Sequence, residues 1–328
     1  MKKPIRTAVA LALACAGGMV VLPFGFECAW SQVPPKTIKL IVPVPAGGPQ
    51  DTLARMLAEK IRQNEGSTII VENRPGAANA IATEAVARAA PDGATLLIHA
   101  SAFLIGPHLR KVDYDPFRNF DPICRLVDAP IVLVVGANSP YHSIADLVAA
   151  ARAKPGQLTL ASVGPGTPHH IAFEMFRRTA NIDMVYIPYP GDAPGINALL
   201  GDHLTAMITA HSSVANLVRT GRLRALATTT RTRIPDMPDV PTIAELGYAS
   251  INTTPWYGVV APAGTPKGLL AQFNDWFKRA LHAPEVDAKL TALHQIPVGE
   301  CGADYAAFLR RQDEEIGRVV READITVK

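Results

Sequence analysis

Two stretches of this sequence gather groups that can hold an anion without a cationic side chain. They are Pro45-Ala-Gly-Gly-Pro-Gln-Asp51 and Ser162-Val-Gly-Pro-Gly-Thr-Pro-His-His170. Each follows a short apolar run that reads as a buried strand. Each precedes apolar residues at helical spacing: Leu53, Met56, Leu57 and Ile61 after the first, Ile171, Met175 and Phe176 after the second. A strand, a glycine turn and a helix start leave backbone N–H groups unpaired at the helix mouth, where the helix dipole adds partial positive charge. With the hydroxyls of Ser162 and Thr167, such mouths would bind a carboxylate. One such segment alone reads equally well as an ordinary strand-to-helix turn. Two at corresponding places favour a ligand cleft.

Catalytic patterns are weaker. Gly164-Pro-Gly166 begins like a dinucleotide fingerprint, but position 169 is His where the third glycine belongs. The chain contains no phosphate-binding loop of the G-x-x-x-x-G-K-[ST] type, no G-x-S-x-G, no C-x-x-C and no H-E-x-x-H. His170 and Glu174 share a helix face, yet two residues without a third ligand make a poor metal site. Both histidines read as readily as hydrogen-bonding residues at a helix start. Ser162, His170 and Asp51 include the types of a hydrolytic triad, but nothing in their spacing selects them. No enzyme, cofactor or metal is expected.

The elements that must position these loops alternate along the chain. After the opening strand and helix come Thr68–Val71, a helix near 81–90 and Ala94–Ile98, a βαβαβ pattern that predicts a parallel sheet. A polar segment over 113–122 leads into Ile131–Val135. A second βα series then runs through 158–161, 185–187, 204–208 and 223–229, with Ser143 and Asp146 forming a capping box before one helix. Trp256–Ala261 reads as a strand, and three amphipathic helices follow. The economical arrangement returns the last third to the first unit: lobe 1 is 32–131 plus 255–328, lobe 2 is 132–254, and a cleft lies between them.

The chain of 328 residues is 48% hydrophobic, ample for two such lobes. Its 32 Lys and Arg nearly balance 29 Asp and Glu, and no basic stripe suggests nucleic acid. Residues 1–31 read as a signal peptide: a basic start, an apolar stretch from Ala8 to Phe24, and Ala29-Trp-Ser31 as a small-x-small cleavage site. A retained anchor, or a lipoprotein through Cys15, fits less well. Cleavage leaves a nearly neutral chain with Cys124 and Cys301, which can pair only if their Cα atoms fall within about 7 Å; paired and free forms both stay open.

Several segments together resemble the substrate-binding proteins of tripartite tricarboxylate transporters, also called Bug receptors. They are Ile41–Asp51, Val71–Ala77, Thr83–Gly93, Tyr114–Pro116, Gly221–Leu226 and Trp256–Pro266. The resemblance implies an α/β periplasmic binding protein type II fold with two lobes closing on a small carboxylate. It implies a periplasmic receptor, expected to be a monomer, that delivers its ligand to the membrane subunits of such a transporter. Carried onto this chain, it assigns ligand contacts to Pro45, Ala46, Gly47, Gly48, Gln50 and Asp51 from one lobe. From the other it assigns Ser162, Gly164, Gly166, Thr167 and His170. Ala78, Asn79, Ser101, Thr209, His211 and Trp256 complete the candidate set.

Three departures matter. Gly76-Ala-Ala-Asn-Ala-Ile-Ala82 lacks glycines that the family usually has, which would reshape the cleft wall. Thr209 stands where many members carry Asp, which argues against ligands with an ammonium group. His211 would pair with a second ligand carboxylate if protonated, or else is an exposed loop residue. Trp256 either caps an aromatic ligand or packs at the hinge. The expected ligand is a di- or tricarboxylate or an aromatic acid, for uptake; presentation of the ligand to a sensor kinase is the alternative.

Overall fold

The computed structural model describes residues 34–251 and 253–325, and the signal peptide read from 1–31 lies outside them. The first elements are β1 (Thr37–Val42), α1 (Pro49–Glu65), β2 (Thr68–Asn73), α2 (Ala80–Ala87), β3 (Thr95–Ala100), α3 (Ala102–Leu109) and β4 (Phe120–Asp128). Next come β5 (Ile131–Gly136), α4 (Ile144–Ala153), β6 (Thr159–Val163), α5 (Pro168–Thr179), β7 (Val185–Tyr189), α6 (Asp192–Leu200), β8 (Ala206–Ala210), α7 (His211–Arg219) and β9 (Leu223–Thr228). β10 (Trp256–Pro262), α8 (Lys267–Leu281), α9 (Pro284–Ala292), β11 (Ile296–Cys301) and α10 (Ala303–Glu322) follow. Among the described residues, no helix is long and apolar enough to cross a membrane.

The strands sort into two sheets, ordered β11-β4-β10-β3-β1-β2 and β7-β6-β8-β5-β9. Side chains alternate across a strand, so β1 feeds two cores. Ile38, Leu40 and Val42 pack with Leu53, Leu57 and Ile61 of α1 and with Phe273 and Phe277 of α8. Ile41, on the other face, packs with Val86 of α2 and Phe103 of α3. In the second sheet Val132 and Val134 meet Leu199 and Val214, while Leu133 and Leu160 share a core with Leu147, Ile171 and Phe173. Burial on both faces explains why these strands read as largely apolar runs, broken in β1 only at the exposed Lys39.

The opening βαβαβ strands pair in parallel as expected, while each sheet as a whole is mixed. β1 pairs in parallel with β2 and β3, and β6 with β7 and β8. β10 is antiparallel to β3 and β4, and β5 to β8 and β9. Three elements were not read from the sequence: α3, β4 and β11. β4 and β11 pair antiparallel with Cys124 opposite Cys301, and these two cysteines form a disulfide. Ser143 caps α4 as read: its hydroxyl accepts the Asp146 N–H at 3.1 Å, while Asp146 accepts the His142 N–H at 2.9 Å.

Candidate functional site

The first glycine turn joins β1 to α1. Gly48 precedes the helix and Pro49 occupies its first position, so no side chain caps the mouth. The N–H groups of Gln50 and Asp51 therefore have no acceptor inside the helix. Pro45, Ala46 and Gly47 are exposed, and Gly47 adopts φ +90°, open to glycine at little cost. Asp51 fixes the turn. Its Oδ2 accepts the Gly47 N–H at 2.9 Å and Arg55 Nε at 3.0 Å, and its Oδ1 accepts Asn73 Nδ2 at 2.9 Å. Burial works to raise the Asp51 pKa, but these hydrogen bonds and the Arg55 charge outweigh it and hold the carboxyl below its ordinary value. The Asp51 carboxylate and the Gly47 N–H thus hold the loop, and the Gln50 and Asp51 N–H groups stay at the open mouth of the helix.

The second turn, between β6 and α5, is equally well fastened. Thr167 caps α5, accepting the His170 N–H at 3.3 Å, and its hydroxyl lies 2.5 Å from the Val163 carbonyl and 3.0 Å from that of Gly164. Gly164 and Gly166 take φ +27° and +74°. Ser162 is fully buried, with its hydroxyl 3.0 Å from that of Tyr186. His170 stacks on Tyr186 with ring centroids 4.2 Å apart and accepts the Gly166 N–H at Nδ1. Of the two hydroxyls read from sequence as ligand donors, that of Thr167 is engaged within the loop and that of Ser162 with Tyr186 of β7. Burial lowers the pKa of both His169 and His170, so the positive character of this mouth comes from backbone N–H groups rather than imidazolium.

A third helix mouth completes the set. β3 lies beside β1 and is followed by Ser101 at the start of α3. Ser101 and Ile105 share a cavity with Pro168 and Ile171 of α5, Thr253, Thr254, and Gln312 of α10. This cavity brings the β3 end of one sheet against the β6 end of the other. Buried polar atoms ordinarily have partners. Gln50 Nε2, Ser101 Oγ and both ring nitrogens of His169 are buried with none among the protein atoms. They sit at the mouths of α1, α3 and α5, each after the carboxyl end of a strand. Gln50 and Ser101 are among the residues expected from the sequence, whereas His169 is expected only as a helix-start residue.

The remaining candidates separate. Ala78 lies in a 3₁₀ turn over Ala77–Asn79 that leads into α2, and Ala77 and Asn79 keep the left-handed backbone (φ +44° and +79°) that glycine adopts freely. Thr209, at the end of β8, donates to Asp192 Oδ1 at 2.6 Å, and Ser213 donates to Asp192 Oδ2 at 3.0 Å. A carboxylate therefore stands beside Thr209 after all, supplied by the first turn of α6. Sequence reading missed Asp192, although the break at Tyr189-Pro-Gly191 immediately before it was a usable signal. His211 is fully buried at the start of α7, which overturns its reading as an exposed loop residue. Trp256 is buried too, edge-on to Tyr305, Phe308 and His99. It opens β10 and packs in the core, with its indole Nε1 buried and without a partner among the protein atoms.

A family model described as tripartite tricarboxylate transporter family receptor matches residues 53–325. BugT of Bordetella pertussis is 33% identical over 298 residues, which is 90% of this chain and 91% of BugT. An R. palustris protein solved with adipate is similar at TM-score 0.71 and 30% identity, over 88% of this chain and 98% of that one. MatC from Rhodopseudomonas palustris with bound malate is similar at TM-score 0.69 and 27% identity, over 87% and 98%. Two sheets in two lobes, with helix mouths of both meeting at one cavity, are the architecture of periplasmic binding proteins. The chain belongs to the tripartite tricarboxylate transporter receptor family, whose members bind solutes rather than transform them.

Proposed function

We propose that this protein is a periplasmic receptor for a small carboxylate, held between lobe 1 (32–131 plus 255–328) and lobe 2 (132–254). In this reading it delivers the ligand to the membrane subunits of a tripartite tricarboxylate-type transporter. The carrying observation is the set of unpartnered buried polar groups at three helix mouths: Gln50 Nε2, Ser101 Oγ and the His169 ring nitrogens. Each lies beside backbone N–H groups that a helix cannot satisfy from within. Donors arranged in this way suit carboxylate oxygens, and the neutral histidines leave the site selective for anions through dipoles alone. The adipate and malate bound by the two R. palustris proteins support a dicarboxylate over a monoacid.

Thermal unfolding with a panel of dicarboxylates, citrate, aromatic acids and amino acids tests the assignment. A ligand at one hundred times its Kd stabilises a protein by about 2.7 kcal/mol, a shift of several degrees. At least one di- or tricarboxylate or aromatic acid should give that shift. A panel in which only neutral or cationic solutes do so would contradict the reading.

A further inference from the structure

His211, Asp236 and His294 come together from distant parts of the chain. His211 follows β8 and opens α7, fixed by its N–H to the Pro130 carbonyl at 2.9 Å. Asp236 lies in the loop after β9. His294 follows α9 in the polypeptide that continues into β11 of the other sheet. One ligand atom from each residue can be chosen so that all lie within 4.8 Å of one another. Asp236 Oδ2 is 3.4 Å from His211 Nε2 and 2.9 Å from His294 Nδ1, and the two imidazole rings are edge-on with centroids 4.6 Å apart.

Three features go beyond chance proximity. His211 is fully buried, yet neither ring nitrogen has a hydrogen-bond partner, so an imidazole has been placed against Asp236 without being satisfied there. His294 holds φ +53° at the turn that ends α9, with its N–H on the Thr291 carbonyl and that of Gln295 on the Leu290 carbonyl. This is the position glycine usually takes. The site also has access from solvent: Asp236 and His294 border two surface cavities, one of them lined by Gln295, whose Oε1 is buried without a partner.

We propose that His211, Asp236 and His294 form a binding site for a divalent transition metal of the Zn²⁺ class, bridging the two sheets. Two imidazoles and a carboxylate are a common zinc donor set, and ligand atoms around a tetrahedral ion sit about 3.3 Å apart, close to the Asp236 separations. Mg²⁺ and Ca²⁺ prefer oxygen donors and should bind poorly. The fourth position opens on the cavities and would hold water, with the Gln295 carbonyl oxygen available to accept a hydrogen bond from it. His211 and Asp236 belong to the segment carrying the second sheet and His294 to the segment carrying the first. An ion bound by all three therefore ties the two sheets together.

Isothermal titration of ZnCl₂ into tag-free, chelator-treated protein tests this. A polyhistidine tag would bind the ion by itself. One equivalent should bind in the micromolar range or tighter, and saturating Zn²⁺ should raise Tm by several degrees while Mg²⁺ and Ca²⁺ leave it unchanged. H294Q and D236N should each weaken binding at least tenfold while preserving the far-ultraviolet circular dichroism spectrum and solute-induced stabilisation in metal-free buffer. Absence of stoichiometric binding to the unaltered protein, or affinity unchanged in both variants, would overturn the proposal.

Discussion

Thr209 donates a 2.6 Å hydrogen bond to Asp192, so the second sheet carries a carboxylate at the carboxyl end of β8. The Asp192 charge is felt at His169, where it works to raise a pKa that burial lowers. Absence of an acidic residue at position 209 is therefore no argument against a ligand ammonium group, because the carboxylate of Asp192 on the neighbouring helix stands beside it. For a dicarboxylate this charge is unfavourable. D192N should tighten dicarboxylate binding about 3- to 10-fold, as expected from removing roughly 1 kcal/mol of repulsion. It should also abolish any binding of amino acids. Titration calorimetry on the two proteins reads both effects.

Asp51 gives the receptor an acid-sensitive loop. Its folded pKa lies below the ordinary value of 3.8, so its contribution to stability is fully present above that value. The contribution is lost as pH falls through the folded value. D51N cannot gain or lose that term. At pH 7 the variant should be about 1–3 kcal/mol less stable, because a buried hydrogen-bonded charge has been removed. The gap should shrink below about pH 4. Urea unfolding of both proteins at pH 7 and pH 3 checks the sign.

The Cys124–Cys301 disulfide closes a loop with a sequence separation of 177 residues. In the chain-entropy description a loop of that length is worth about 5 kcal/mol, an upper value because unfolded chains retain structure. C301S with C124S should lower Tm clearly and detach β11 from β4, seen as faster amide exchange over 296–301. Solute binding should persist, because neither cysteine lies at a helix mouth of the site.

Gly258 is held by a close approach. A Cβ there would lie 2.1 Å from the Tyr305 hydroxyl oxygen and 3.0 Å from the Cys124 carbonyl oxygen. Tyr305 is itself fixed by a 2.9 Å hydrogen bond to His99, whose pKa burial pushes down to about 3. G258A should therefore cost about 3 kcal/mol or more through overpacking. Combining it with Y305L should recover part of that loss, measured by chemical denaturation.

The legibility of the molecule followed the physics of each segment. β3, β5 and β8 announce themselves because burial on both faces demands largely apolar runs, and β1 does so despite the exposed Lys39. The buried positions of α10, including Tyr305, Phe308, Leu309, Ile316 and Val320, fell where helical spacing put them. β4 was obscured because Arg125 interrupts it. That charge is tolerable through its partners Asp128 and Glu300 and its stacking 4.0 Å from the Phe308 ring, and Glu300 and Phe308 lie far along the chain. β11 was hidden by Pro297 and by Gly299, which takes φ +67°. At the site, both glycine turns were visible, since their composition dictates their backbone. Which side chains would already be engaged was not, because Asn73, the partner of Asp51, and Tyr186, the partner of Ser162, come from neighbouring strands. The His211, Asp236 and His294 cluster joins residues up to 83 positions apart, and no spacing rule reaches that far.

The mouth of α1 is where the proposed carboxylate site is most directly tested. At Gly48 the backbone lies in the extended region at φ −77°, and a Cβ would meet only the Pro45 carbonyl oxygen at 3.9 Å, so G48V should fold with nearly unchanged Tm. Its branched side chain would nevertheless stand over the N–H groups of Gln50 and Asp51. Titrating the best-stabilising carboxylate into both proteins is the most direct test. A loss of at least a hundredfold in affinity by G48V, with intact stability, is the predicted result; equal affinity in the two proteins would place the carboxylate elsewhere and contradict the account.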